Sequence, residues 1–278
     1  MHANIVDTVP MGTCLLLVLN MLIHFVIFIT SVNPGLFAIS FANVFHRHNY
    51  FCILSAAFVH GSLMHIGMNM MSLLQLGTAL EARFGTSQFV YFSVWSTILC
   101  GCIYLIMEYI LYIVLGSGNW LNIQAVGYSG VLFSYAVLES YSVDVRDRSV
   151  FGFFNVPATV YPWVLLIIMS LIMPNVSFLG HLSGILVGFL AMSGLLSKLI
   201  PSKEFQRDLE ESETFKILYK RPNYIKLTDE MMDNRDMYGT TDGRLMEPFY
   251  VILRYLYYLV DALYRCIFVM NNRNRSGP

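Results

Sequence analysis

Along this chain hydrophobic and polar positions segregate into long blocks. Met11 to Ser31 is nearly uncharged and long enough to cross a hydrocarbon core of about 30 Å. Asn33-Pro34-Gly35 ends it. A second apolar segment opens near Ser62 and closes around Leu80-Glu81, where Glu81-Ala82-Arg83-Phe84-Gly85 forms a polar exit with a glycine stop. Phe89 to Leu115 is the third, long enough to tilt, with Glu108 as its one charge. A short fourth covers Ala125 to Ser140. A fifth follows Pro157 and Pro162 and ends near Met173-Pro174, and a sixth runs from Phe178 to about Ile200. The pattern predicts an all-α fold: a polytopic membrane bundle with a six-helix core. Leu36 to Phe51 reads as a loop lying partly in the interface, Gly116 to Gln124 as a turn-forming loop, and Asp144 to Arg148 as a charged turn.

After Ile200 the pattern changes. Through residues 201–247 charges of both signs alternate and apolar residues scatter, which predicts a soluble tail with weak order. Pro248 to Met270 is apolar and aromatic-rich, yet Arg254, Asp261 and Arg265 fall on one helical face. This stretch reads either as an amphipathic helix on the membrane surface or as a seventh span with its charged face inward. The division is a six-span core over 1–200, a charged tail segment over 201–247, an interfacial helix or added span over 248–270, and a polar terminus over 271–278.

Composition agrees with the membrane reading: 56% of residues are hydrophobic and 13% charged. A net charge of −1 gives no reason to expect nucleic acid. The five cysteines make no metal-ligand framework, and Cys100-Gly101-Cys102 lacks the two-residue spacing of a redox pair, so no metal or cofactor is expected. The N-terminus has no basic region before its apolar run, so that run reads as a retained span. Arg83, Arg146, Arg148, Lys198, Lys203 and Arg207 fall on one side of a six-span topology, against Arg47 alone in the opposite loops. Both termini are therefore expected in the cytosol.

That topology places His60, His65 and Asn69 near the entry of span two, Ser129 near that of span four, and His181 near that of span six. Each lies within roughly 10 Å of its helix start, at one face of the membrane. A serine hydroxyl becomes a nucleophile when a base takes its proton, and histidine suits that task near neutral pH. Ser129 in Gly127-Tyr128-Ser129-Gly130 is the candidate nucleophile and His181 its base. Gly184 and Gly188 form the G-x-x-x-G spacing that lets membrane helices approach closely, and they face the same side as His181. Gly127 and Gly130 flank the serine, and Phe133 lies one turn below it, placed to pack on the imidazole. No acidic residue is placed to orient His181, so the expectation is a dyad. His65, Asn69 and the Ser129 backbone N–H are candidate donors to an oxyanion. Taken singly, each has a plainer reading: Gly-x-Ser-Gly as tight packing, His60, His65 and Asn69 as interhelical hydrogen bonds. Glu81 and Arg83 read as anchors of the cytosolic end, and Glu108 as a group near the outer end of its span or paired there.

These residues resemble the rhomboid family of intramembrane serine proteases. The resemblance rests on His60-x4-His65-x3-Asn69, the stretch Leu76 to Gly85, Gly127-Tyr128-Ser129-Gly130, and Gly180-His181-x2-Gly184-x3-Gly188, in that order, over about Met11 to Ile200. The last two stretches look most like eukaryotic rhomboid-related proteins of the endoplasmic reticulum and Golgi. The resemblance implies that Ser129 is nucleophile and His181 base, and that His65, Asn69 and the Ser129 amide form the oxyanion hole. Substrates would be transmembrane proteins cut in or beside their spans, within the lipid bilayer, on endomembranes. The Trp-Arg pair that many members carry in the first loop is missing; Phe51-Cys52 stands near its place. Many bacterial members have Tyr where Phe133 stands. The alternative is a non-catalytic relative that binds membrane clients for quality control or trafficking. Such relatives usually lack the serine or histidine, both present here. Oligomeric state and substrate identity are not encoded in any feature of the sequence.

Overall fold

A computed structural model describes residues 9–142, 146–173, 176–199, 201–212, 216–228 and 231. The segment 248–270, the polar terminus and the charged tail from residue 232 onward lie outside the described residues. Six principal helices form the bundle: α1 (Met11–Thr30), α2 (Leu63–Phe84), α3 (Thr86–Leu115), α4 (Ser129–Ser142), α5 (Tyr161–Ile172) and α6 (Phe178–Met192). Two of them, α1 and α3, are long and apolar enough to cross a membrane by length and composition. The inner helices are shorter: 14 residues in α4 and 12 in α5, or about 21 and 18 Å.

Helix ends follow local chemistry. Ser62 caps α2 by accepting the His65 N–H at 3.2 Å, and Ser177 caps α6 by accepting the Gly180 N–H at 3.1 Å. Pro162 sits in the first turn of α5, where a missing N–H costs nothing. α1 has no side-chain cap of its own. Its first N–H groups are satisfied from another helix. Glu81 of α2 accepts from Gly12 N at 2.7 Å, Thr13 N at 2.6 Å and Thr13 Oγ1 at 2.8 Å, and also takes Thr86 Oγ1 at 2.7 Å from the start of α3. The residue expected only to anchor a helix end is thus a fully buried knot joining three helices.

Burial is graded from the centre outward. Every residue of α4 from Val131 to Tyr141 is buried, with α2, α3, α5 and α6 packed around it. The outer helices expose large apolar side chains, Phe25, Phe28 and Ile29 on α1 and Ile167, Leu171 and Ile172 on α5. This is the inverse of a soluble surface and suits lipid. The central helix consequently tolerates polar groups that find partners. Tyr135 Oη lies 2.5 Å from Ser93 Oγ and 3.2 Å from Tyr128 Oη.

Several boundaries and loops differ from expectation. α4 begins at Ser129, not Ala125, because Ala125 is extended and pairs with Ile39 through two backbone hydrogen bonds of 3.0 Å. α6 stops at Met192, short of Ile200, and a 3-10 turn over Leu195–Leu199 follows. The expected charged turn after span four is instead the start of a β-hairpin, β1 (Asp147–Val150) antiparallel to β2 (Phe154–Pro157). The loop from Leu36 to Phe51 folds as short helical turns. Glu108 of α3 pins it by accepting the Phe41 N–H at 2.6 Å.

Part of the tail is also ordered, against the expectation of weak structure. α7 (Lys203–Glu211) begins at the Ser202 cap, and the chain returns through α8 (Lys216–Tyr219) to the ends of α1 and α3. There Met11 N donates to Asn223 O at 2.9 Å, and Thr86 N donates to Ile225 O at 2.8 Å. Glu210 accepts from Tyr224 Oη at 2.8 Å and Ser87 Oγ at 3.0 Å. These contacts make residues 223–227 a strap across the N-terminal ends of α1 and α3.

Candidate active site

Three chain segments meet at the start of α4. Gly127 has φ of 120°, open to glycine and strained for other residues, and this turns the chain sharply into the helix. Its N–H donates to Ala56 O at 2.8 Å, and the Tyr128 N–H donates to His60 Nε2 at 3.4 Å. Two consecutive backbone donors are thereby held from the segment before α2. Tyr128, wholly buried, adds its hydroxyl contact to Tyr135 from below. The serine that follows is fixed from both sides.

Ser129 Oγ lies 2.9 Å from His181 Nε2. His181 is buried on α6, and among the described residues its Nδ1 meets no hydrogen-bond partner and no carboxylate orients it. The ring is held by stacking instead: Phe133, one turn below Ser129, lies with its centroid 4.5 Å away and its plane tilted by 27°. With Nε2 accepting the serine proton, the neutral imidazole carries its own proton on Nδ1.

The Ser129–His181 distance depends on how closely α4 and α6 approach. A Cβ added at Gly184 would sit 1.9 Å from Gly130 O, and one at Gly188 would sit 2.5 Å from Val137 Cβ. Only hydrogen fits at either place. Gly130 continues the seam, its would-be Cβ 3.1 Å from Gly180 O. Gly130, Gly184 and Gly188 thus line one helix–helix contact, whereas Gly127 faces His65 of α2.

His65 approaches from α2. A Cβ on Gly127 would lie 2.7 Å from His65 Nε2 and 3.7 Å from Ser129 Oγ, so both groups flank the same point. His65 Nε2 is buried and meets no partner. Asn69 lies one turn further on the same face, but its Nδ2 donates back to His65 O at 2.8 Å. One of its two amide hydrogens is thus committed within α2. The Ser129 N–H, at the first position of α4, has no intrahelical acceptor.

Two features were not found from sequence. His24 of α1 sits edge-on to His60 with centroids 6.4 Å apart, and His60 lies 5.1 Å from His65, so three imidazoles form a row toward Ser129. His24 carried no motif, and only the packing of α1 brings it there. A cleft with about 50 Å³ of room for water opens beside Ser129, lined by Thr97, Cys100 and Tyr104 of α3, Ile53 and Ala56 before α2, and Ser183 of α6. Among the described residues no group of three or more His, Cys, Asp or Glu side chains is arranged to hold a metal ion.

Comparison with known proteins gives the same frame. A family model described as the Rhomboid domain matches residues 47–198. Rhomboid-like protein 15 of Arabidopsis thaliana is 37% identical over 191 residues, covering 66% of this chain and 46% of its own length. Rhomboid-related protein 4 of Mus musculus is 32% identical over 162 residues, 58% of this chain and 51% of its own. Rhomboid-type serine protease 2 of Neurospora crassa is 27% identical over 176 residues, 61% and 59% of the two chains. The chain spans about half the length of the curated relatives it matches. The matched region reaches from the first loop through α6 and so takes in every residue of the Ser129–His181 pairing: the chain belongs to the rhomboid family.

Proposed function

We propose that this protein is an intramembrane serine protease that hydrolyses peptide bonds in or beside the spans of membrane proteins. The observation that carries the reading is the 2.9 Å contact between Ser129 Oγ and His181 Nε2 inside a bundle with lipid-facing walls. His181 removes the serine proton as Oγ attacks a substrate carbonyl, giving a tetrahedral oxyanion and an imidazolium. The imidazolium, stacked on Phe133, then protonates the leaving amine. Water entering by the cleft beside Ser129 attacks the acyl-enzyme with His181 again as base. The oxyanion would form near the point flanked by His65 Nε2 and Ser129, where the Ser129 N–H is a second donor and the remaining Asn69 amide hydrogen a third. No acid completes a triad, and stacking replaces it as the orienting force.

Membership of a membrane-protein family and the apolar helices place the chain in a bilayer. The excess of Lys and Arg on one side supports cytosolic termini, with the site opening toward the other face. The resemblance of the motifs around Ser129 and His181 supports an endomembrane location. We retain residues 1–200 as the protease core and the remainder as appended segments.

The test is labelling of the detergent-solubilised protein with a fluorophosphonate, comparing the parent with Ser129→Ala and His181→Ala. The expected result is labelling that requires both residues. Labelling that survives in Ser129→Ala would remove the nucleophile assignment. No labelling of a folded parent protein, together with retention of membrane clients, would replace the protease by a binding protein of the same fold.

A further inference from the structure

We infer that the hairpin between α4 and α5 is an interfacial anchor whose phenylalanine tip inserts into the leaflet of the bilayer on the side of the chain termini. The turn is Val150-Phe151-Gly152-Phe153, closed by Phe153 N donating to Val150 O at 3.0 Å. Both central residues have positive φ, 51° at Phe151 and 79° at Gly152. Turn positions with positive φ normally take Gly, Asn or Asp, which tolerate the left-handed region or hydrogen-bond within it. Phenylalanine there is strained by about 1–2 kcal/mol and gains nothing locally. It is also half exposed, at 51%, beside Phe153 at 85% and Phe154 at 48%. Three aromatic rings held outward on a strained turn call for a surface that covers them.

The helices on either side identify that surface. α4 and α5 rise about 21 and 18 Å, short of a hydrocarbon core of about 30 Å. The link between them therefore starts at or within membrane depth, where unpaired backbone groups are costly. A hairpin pairs only the inward-facing backbone groups of its two strands, in the register Asp147 with Pro157, Arg148 with Val156, Ser149 with Asn155 and Val150 with Phe154, so it suits the interface, where the outer edges reach headgroups and water. Exposed apolar side chains recur along the segment that follows, at Val160 and then at Ile167, Leu171 and Ile172 on the lipid-facing wall of α5. At the other end of the hairpin Arg146 and Asp147 are both exposed, and Arg148 is paired with Glu139 of α4, so the base is charged with both signs. An aromatic tip over a charged base matches an interfacial anchor, and its lipid contact would fix the depth of α5.

The experiment places 4-trifluoromethylphenylalanine at Phe153 in the full chain, reconstituted in phosphatidylcholine and phosphatidylserine nanodiscs, and reads its fluorine resonance. The same label at Leu171, which faces lipid on α5, is the positive control. Doxyl-labelled phosphatidylcholine should broaden the Phe153 signal as it does that of Leu171, while a water-soluble gadolinium chelate leaves it sharp. Broadening by the chelate and not by the doxyl lipid would put the tip in water and overturn the anchor. Protection from both would mean that protein covers the tip, a second copy or a client, and would equally overturn the lipid assignment.

Discussion

At the residue scale the chemistry rests on side chains that only touch because their backbones are pinned. His65 and His60 look alike in sequence but do different things. His60 Nε2 is occupied by the Tyr128 N–H, whereas His65 Nε2 meets no partner and overlooks Ser129. If His65 stabilises the oxyanion, His65→Ala should lower kcat by about 10²–10³, in the range found for a single oxyanion donor, while fluorophosphonate still reaches Ser129. A full cleavage rate in that variant would remove His65 from the mechanism. Phe133→Ala should leave the imidazole less held and slow labelling, and Phe133→Tyr should keep it. Equal loss in both would argue against stacking as the orienting force. The candidate pair and its stacking partner were legible in sequence because spacing alone puts Phe133 one turn from Ser129. Tyr128 and His24 were not, since a tyrosine and a histidine in apolar runs carry no spacing signal. Their positions follow from contacts with Tyr135 of α4 and with His60 in the segment before α2.

At the scale of elements the seam between α4 and α6 sets the Ser129–His181 distance. A Cβ at Gly184 lands 1.9 Å from backbone, so Gly184→Ala must push the helices apart. Overpacking of this kind costs about 1–3 kcal/mol, and here it also lengthens the Ser129–His181 contact. The expected outcome is a lower unfolding midpoint and loss of labelling. Gly180→Ala on the same helix is the control, because its Cβ would meet only Ser177 side-chain atoms at 3.4 Å or more. If both variants label normally, the seam does not set the geometry. Glu81 acts on a different set of elements. Removing it strands the Gly12 and Thr13 N–H groups of a helix without another side-chain cap. Glu81→Ala should destabilise the bundle by about 3 kcal/mol, the scale of charge-assisted hydrogen bonds lost on burial. An unfolding free energy unchanged from the parent would show that α1 is held by packing alone.

At the scale of the whole molecule the chain closes on itself. The strap at residues 223–227 bonds to the first turn of α1 and to the start of α3, with Glu210 of α7 gathering Ser87 and Tyr224. Tyr224 is half buried beside Glu210, and burial together with that hydrogen-bonded carboxylate holds its phenol above the ordinary range. A raised phenol pKa stabilises the docked strap at neutral pH and is lost as the hydroxyl ionises in strongly alkaline solution. Glu210→Ala should therefore speed amide exchange at Ile225 and Leu227 without altering Ser129 labelling, as the strap and the site lie at opposite ends of the bundle. Unchanged exchange would mean that the strap is held by its backbone contacts alone.

The sequence by itself determined the membrane class, the order of apolar segments, and the residues able to do serine chemistry. Each is written in local signals: run length, charge, and spacing along a helix of known pitch. Only the tertiary structure decided where the helices stop, because the end of α6 and the start of α4 are set by neighbours and not by composition. Ala125, apolar enough for a span, is drawn into an extended pairing with Ile39. The hairpin was hidden for the same reason: a phenylalanine at a left-handed position is locally unfavourable, so no turn signal announces it. Glu81 carried a charge that reads as a helix-end anchor, and its buried role appears only when α1 packs against α2. Long-range contacts choose among the conformations that local preference leaves open, and the site is built where those contacts converge.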